Sequence, residues 1–192
     1  MSDSGVRSVM GSIFIAAMLL VATVAVADDR PVVLEENQTV VQVNGVVCSF
    51  CAYGAEKALS KLDCLDKAEF GNGVLVDIET HRITLALRPG EKIPFRDIYR
   101  RIKKAGYDPI RFYLRSEGSL ERSGERLLLR DAKSGQVFSI VGGEMAGLAD
   151  HANVSVQAHL AASRIPELGE SDVVEVTIDR LISDSDGVRE DG

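Results

Sequence analysis

The apolar residues between Gln38 and Leu114 change period along the chain, from every second position to every third or fourth and back again. A segment patterned this way must lay strands and helices against a shared core, because the two periods present their apolar faces differently. Thr39-Val40-Val41-Gln42-Val43 alternates as a strand and stops at Asn44-Gly45. From Cys51 to Leu62, the residues Ala55, Ala58, Leu59 and Leu62 recur at helical spacing and give one apolar face. Val74–Ile78 and Arg82–Leu87 read as strands joined by the polar turn Glu79-Thr80-His81. A second helix opens at Pro94, whose missing N–H is no loss in a first turn. It carries Phe95, Ile98, Ile102 and Ala105 on one face and stops at Gly106. Ile110–Leu114 is a last strand.

That order, β-α-β-β-α-β, is the split βαβ or ferredoxin-like motif, expected as one domain over residues 38–114. From Arg115 the pattern turns to strands with little helix. Glu125–Asp131, Gln136–Val141, Asn153–Ala161 and Asp172–Ile182 are strand-like, with Lys133-Ser134-Gly135 as a hairpin turn and Gly142–Asp150 as a short helix. If Phe112–Leu120 supplies a leading strand, five strands suit a small all-β barrel of the OB type over residues 115–182. An acidic tail, 183–192, completes the chain. The expected fold class is therefore α+β, a ferredoxin-like domain followed by a small OB-like barrel domain.

Residues 1–27 read as an export signal peptide, or as an N-terminal anchor. Arg7 precedes an apolar run from Ile13 to Val26, and Ala25-Val26-Ala27 is an A-x-A cleavage site before Asp28-Asp29. Whether it is cleaved or kept as an anchor, this segment is expected to place the remainder outside the cytoplasm, in a periplasmic or other extracytoplasmic space, and no apolar run after residue 27 is long enough to span a bilayer. The formal charge of −7 argues against a nucleic-acid partner, since phosphate binding needs a basic footprint. Residues 28–114 carry 13 basic and 13 acidic side chains, whereas residues 115–192 carry 8 and 15, which places the acidity in the second part.

The chemistry concentrates in Gly45-Val46-Val47-Cys48-Ser49-Phe50-Cys51, between the first strand and the first helix. Two thiols separated by two residues on such a loop can converge on one soft ion. Cys51 falls in the first helical turn, where unpaired N–H groups and the positive end of the helix dipole stabilise a thiolate. Thiolates prefer Cu(I) and Hg(II), and Zn(II) when more ligands are supplied. Two visible ligands favour a near-linear ion over tetrahedral zinc, whose structural sites take four. The same spacing also marks thiol–disulfide exchange, so a redox protein using this C-x-x-C is the alternative reading, and a pair that merely staples the loop is a third.

Residues 38–114 resemble the heavy-metal-associated domain family, as found in copper chaperones and the periplasmic mercury-binding protein. The resemblance is carried by Val43-Asn44-Gly45-Val46-Val47-Cys48-Ser49-Phe50-Cys51, by the helix Ala55–Leu62, and by Lys104-Ala105-Gly106-Tyr107. It implies that Cys48 and Cys51 are metal ligands, with Ser49 and Phe50 between them. It also implies that Tyr107 lies beside the metal and modulates its exposure. The sequence departs from the family at Val46, where methionine is usual, and at Phe50, where a small residue is usual. The implied function is non-enzymatic capture of Cu(I) or Hg(II) and its transfer to or from a metal-donor or acceptor protein.

The remaining candidates carry weaker signals. Cys64 follows the first helix, and about twelve residues at ~1.5 Å rise put it roughly 18 Å from Cys51, too far to be a third ligand. His81, His151 and His159 are scattered without metal-ligand spacing and read as surface or satisfied polar residues. Arg96, Arg100, Arg101, Lys103 and Lys104 crowd one face of the second helix, as a solvated face or as a docking patch for an acidic partner. The second part has no G-x-S-x-G and no phosphate loop.

Overall fold

The structure, a computed structural model, describes residues 31–143, 152–168 and 173–182. The expected signal or anchor at 1–27, the tail at 183–192, His151 and the expected helix beyond residue 143 lie outside them. Gly142 and Gly143 belong to a strand. No helix among the described residues is long and apolar enough to cross a membrane.

Strand β1 (Gln38–Asn44) leads into helix α1 (Ser49–Leu59), then β2 (Val74–Asp77), β3 (Arg82–Ala86) and helix α2 (Phe95–Lys104). Strand β4 (Asp108–Ser123) follows, with β5 (Arg126–Asp131), β6 (Val137–Gly143), β7 (Asn153–Ala161) and β8 (Val174–Leu181). All eight strands form one sheet in the order β2-β3-β1-β4-β5-β6-β8-β7, and β4 also pairs with β7. Among the described residues, only β6 and β8 run parallel. Through the β4–β7 pairing, which runs from Arg111↔Ala161 to Ser119↔Asn153, strands β4, β5, β6, β8 and β7 curl closed on themselves. Closure leaves these strands few unpaired backbone edges.

The expectation of a ferredoxin-like domain followed by a separate OB-like barrel is corrected by this sheet, which is single, large and mixed. The finding that overturns it is the length of β4. This 16-residue strand runs through the expected boundary at 114/115 without a break. It pairs with β1 over its first half, β7 over its middle and β5 at its end. Phe112, Leu114, Ser116, Gly118 and Leu120 alternate inward along it, so the period of two holds across the expected boundary. Ser116 and Gly118 hide that continuity in the sequence because neither is apolar. Gly118 is required: a Cβ there would lie 1.9 Å from the Arg130 carbonyl oxygen, and β4 and β5 could not keep their register.

One apolar core follows from the shared strand. It joins Val41, Leu59, Ile98 and Phe112 to Leu129, Phe138 and Val176. Helix α2 buries Phe95, Ile98 and Ile102, the face its spacing predicts. Helix α1 ends at Leu59 rather than at Leu62, with Ser60 as its cap, and Leu62 is buried from the following turn instead. Arg101 donates to the carbonyls of Ala58 (3.2 Å) and Lys61 (3.3 Å), closing the carboxyl end of α1 from the neighbouring helix. Arg100 pairs with Asp97, and Lys103 with Asp108. A second, small cluster seats Val32 and Leu34 against Val40 and Tyr113, and Gln157 donates to the Val32 carbonyl at 3.1 Å.

The β5–β6 turn shows why the charged Asp131 tolerates its position. Burial pushes its carboxyl up, but hydrogen bonds from the Ser134 hydroxyl and N–H, the Ser116 hydroxyl and the Lys133 N–H outweigh this and hold it below its ordinary value of 3.8. A depressed carboxyl contributes stability in full above its unfolded value and loses it as pH falls through the folded one. Asp131→Asn should therefore lower stability by about 1–3 kcal/mol at pH 7. The two proteins should converge as pH falls below 3.8, read from urea unfolding at a series of pH values.

Candidate functional site

The loop between β1 and α1 is built by contrasts in burial. Gly45 turns the chain at φ +96°, a conformation that side chains rarely adopt. Val46 is fully buried and pins the loop to the core, while Val47 and Cys48 come out into solvent. Cys48 has extended backbone (φ −150°, ψ 161°) and is the N-cap of α1. Its Sγ accepts from the Cys51 N–H at 3.2 Å, and its carbonyl accepts from the Ala52 N–H at 2.9 Å. The sulfur thus takes the place that a serine or aspartate oxygen takes at most helix starts. The expectation that Cys51 sits in the first helical turn agrees with this geometry. The capping acceptor, however, is the sulfur of Cys48.

The two sulfurs converge. Cys48 and Cys51 are joined as a disulfide with their Cα atoms 5.1 Å apart, a separation that also lets two free thiols face one point. Cys48 is exposed and Cys51 half-buried. Ser49 is exposed at the first helical position. Phe50 is 90% exposed, and with Val47 (68%) and Tyr53 (61%) it gives the thiol loop an apolar rim.

Tyr107 closes the loop from the other side. It follows Gly106, which ends α2 at φ +92°, and its hydroxyl donates to the Cys51 carbonyl at 2.9 Å. The ring fits across two glycines. A Cβ at Gly45 would lie 3.3 Å from its Cδ1, and one at Gly54 would lie 3.4 Å from its hydroxyl. Tyr107 therefore fixes the backbone of Cys51 through its hydroxyl, and a side chain at Gly45, already strained by the positive φ, would crowd the ring.

Cys64 is apart from this pair. It is buried in the turn after α1, and burial, outweighing its other contacts, pushes its thiol up. In the oxidised protein it is the free thiol, and it should react with a disulfide reagent on the order of 10³-fold more slowly than in strong urea, followed by absorbance of the released thiolate. His159 lies in β7 and contacts Asp179 of β8, away from the loop. Among the described residues, no group of three or more His, Cys, Asp or Glu side chains is placed to hold a metal ion.

His81, expected to be a surface or satisfied polar residue, is satisfied by a contact with the thiol loop. Its ring Nδ1 lies 3.3 Å from the carbonyl oxygen of Val46, under the thiol loop, while its own carbonyl accepts from the Val43 N–H at 2.9 Å. The available signal was its position at the tip of the β2–β3 hairpin, since β3 pairs with the strand that feeds the loop.

Compared with protein families, with curated proteins and with solved structures, the chain shows no match.

Proposed function

We propose that this chain, once reduced, is a non-enzymatic soft-metal-ion binding and transfer protein, with Cys48 and Cys51 as the two ligands and Cu(I) or Hg(II) as the cargo. The observation that carries the reading is the convergence of two sulfurs on one exposed loop at a helix start. Soft d¹⁰ ions accept two thiolates in near-linear array, whereas structural zinc takes four ligands, so Zn(II) is disfavoured. Transfer proceeds by ligand exchange without change of oxidation state. A thiolate of the donor or acceptor protein adds to the ion, one cysteine sulfur leaves, and the second follows. An exposed two-ligand site leaves room for the entering sulfur. The export reading of residues 1–27 belongs to the same proposal. In an oxidising space the pair rests as the disulfide, and an external dithiol must reduce it before loading.

A second reading, thiol–disulfide exchange, is favoured by the pairing of the same two cysteines. In that reading the thiolate of one reduced cysteine attacks a partner disulfide and one partner thiolate leaves; the other cysteine then attacks the mixed disulfide, releasing the second partner thiolate and closing the Cys48–Cys51 bond. Anaerobic titration of the reduced protein with Cu(I), against a colorimetric Cu(I) chelator, separates the two. Uptake of one tightly held equivalent supports metal transfer. No uptake, together with catalysed reduction of a partner disulfide, replaces it with the exchange reading.

A further inference from the structure

The β2–β3 hairpin is a prepared platform beneath the thiol loop. Its turn is fixed by Asp77, whose carboxylate accepts from the Glu79 N–H (2.9 Å), the Thr80 N–H (3.2 Å) and the Thr80 hydroxyl (2.7 Å). Thr80 is buried, and its carbonyl accepts from the Gln42 side chain of β1 at 3.2 Å. These bonds hold the next residue, His81, at φ +53°, a left-handed conformation in which non-glycine residues are uncommon. From there His81 reaches the chain on both sides of the Asn44-Gly45 reversal. Its carbonyl takes the Val43 N–H, and its ring meets the Val46 carbonyl two residues before Cys48.

We propose that His81 is a positioning residue for the Cys48–Cys51 pair: its ring Nδ1–H donates to the Val46 carbonyl and holds the loop in the one path that brings both sulfurs together. The proposal rests on reading the pair as a working dithiol, in either of the forms above. A carbonyl only accepts, so the hydrogen sits on Nδ1. That hydrogen is present in the matching neutral tautomer and in the imidazolium alike. The contact is therefore a fixed brace. Without it the loop loses its hydrogen bond to the hairpin, midway between the Tyr107 ring at Gly45 and the helix-cap bonds of Cys48, and the sulfurs must lose more freedom to meet each other or one ion.

The test uses the full chain and three variants. His81→Asn keeps the backbone conformation, which asparagine tolerates, and keeps a donor. His81→Asp has the same size and backbone tolerance but only accepts. His81→Gly removes the side chain without charge and without backbone strain. Two quantities are measured: the dithiol–disulfide equilibrium constant in glutathione buffers, by alkylation and mass spectrometry, and Cu(I) affinity by chelator competition. His81→Gly and His81→Asp should lower both by about 10-fold, the scale on which outer partners act on metal ligands. His81→Asn should restore both to within about twofold of the original. Thermal unfolding of each variant identifies any that fails to fold, and the asparagine–aspartate comparison then decides. Equal constants for His81→Gly and the original chain would overturn the proposal, and so would equal constants for His81→Asn and His81→Asp. If the original chain takes up no Cu(I), the metal reading fails while the equilibrium constant still decides the role of His81.

Discussion

Replacing Phe112 with alanine should lower folding stability by about 3–5 kcal/mol and should do so for the whole chain at once. Phe112 is fully buried in β4, edge-on to Phe95 of α2 with ring centroids 5.6 Å apart. Its strand neighbours are Val41 of β1 on one side and Leu160 of β7 on the other. Truncation removes the transfer energy of the ring, the aromatic pair and the contacts that would line the resulting void. Against a total of about 5–15 kcal/mol for a domain, that loss is a large fraction. Because β4 belongs to both halves of the sheet, the loss cannot be confined to one. Urea unfolding followed by tyrosine fluorescence and by amide exchange in β7 and β8 should show one shared transition, displaced to lower urea. Val141, exposed on β6, supplies the control: Val141→Ala should change stability by less than about 0.5 kcal/mol. Two transitions, with β5–β8 unmoved, would show that the halves are energetically separate despite their common strand.

The same strand explains what the sequence does and does not disclose. Periodicity is legible wherever apolar residues occupy the inward positions, as with Phe95, Ile98 and Ile102 on α2. It fails where small residues do the inward work. Ser116 hydrogen-bonds to Asp131, and Gly118 lets the β5 backbone approach; neither leaves an apolar mark, so the chain looks divided where it is continuous. Charge adds to that impression, since the acidity rises past residue 114 without any break in the sheet. The thiol loop was readable because its signals are local: a glycine turn, two cysteines at i and i+3, and a helix start. Tyr107 is marked in the sequence only by the family resemblance, whereas in the fold its hydroxyl donates to the Cys51 carbonyl. The place of His81 in the β2–β3 turn was readable, but its contact with the Val46 carbonyl was not, because that depends on which strand lies beside β1 and on a left-handed backbone conformation that no motif announces.

Serine at position 48 or 51 should abolish stoichiometric Cu(I) uptake, with a loss of at least about 1,000-fold, or ~4 kcal/mol at 1.4 kcal/mol per decade. A hydroxyl of similar size preserves the loop but offers a hard, protonated oxygen to a soft ion, so one of the two bonds is lost outright. Fold effects should be small for Cys48→Ser in the reduced protein, because a serine oxygen is a good N-cap and accepts from the same Cys51 N–H. The two variants should differ in one respect. In Cys51→Ser the remaining sulfur at position 48 sits at the helix cap and accepts a backbone hydrogen bond, which favours its anion. In Cys48→Ser the remaining sulfur, half-buried in the first turn, lacks that cap bond. Iodoacetamide should therefore alkylate Cys51→Ser faster than Cys48→Ser at neutral pH, read by mass spectrometry over time. Uptake of Cu(I) undiminished in both variants would remove the pair from the binding site altogether. Lost uptake with the opposite order of alkylation would keep the pair as ligands and deny the helix start its part in preparing them.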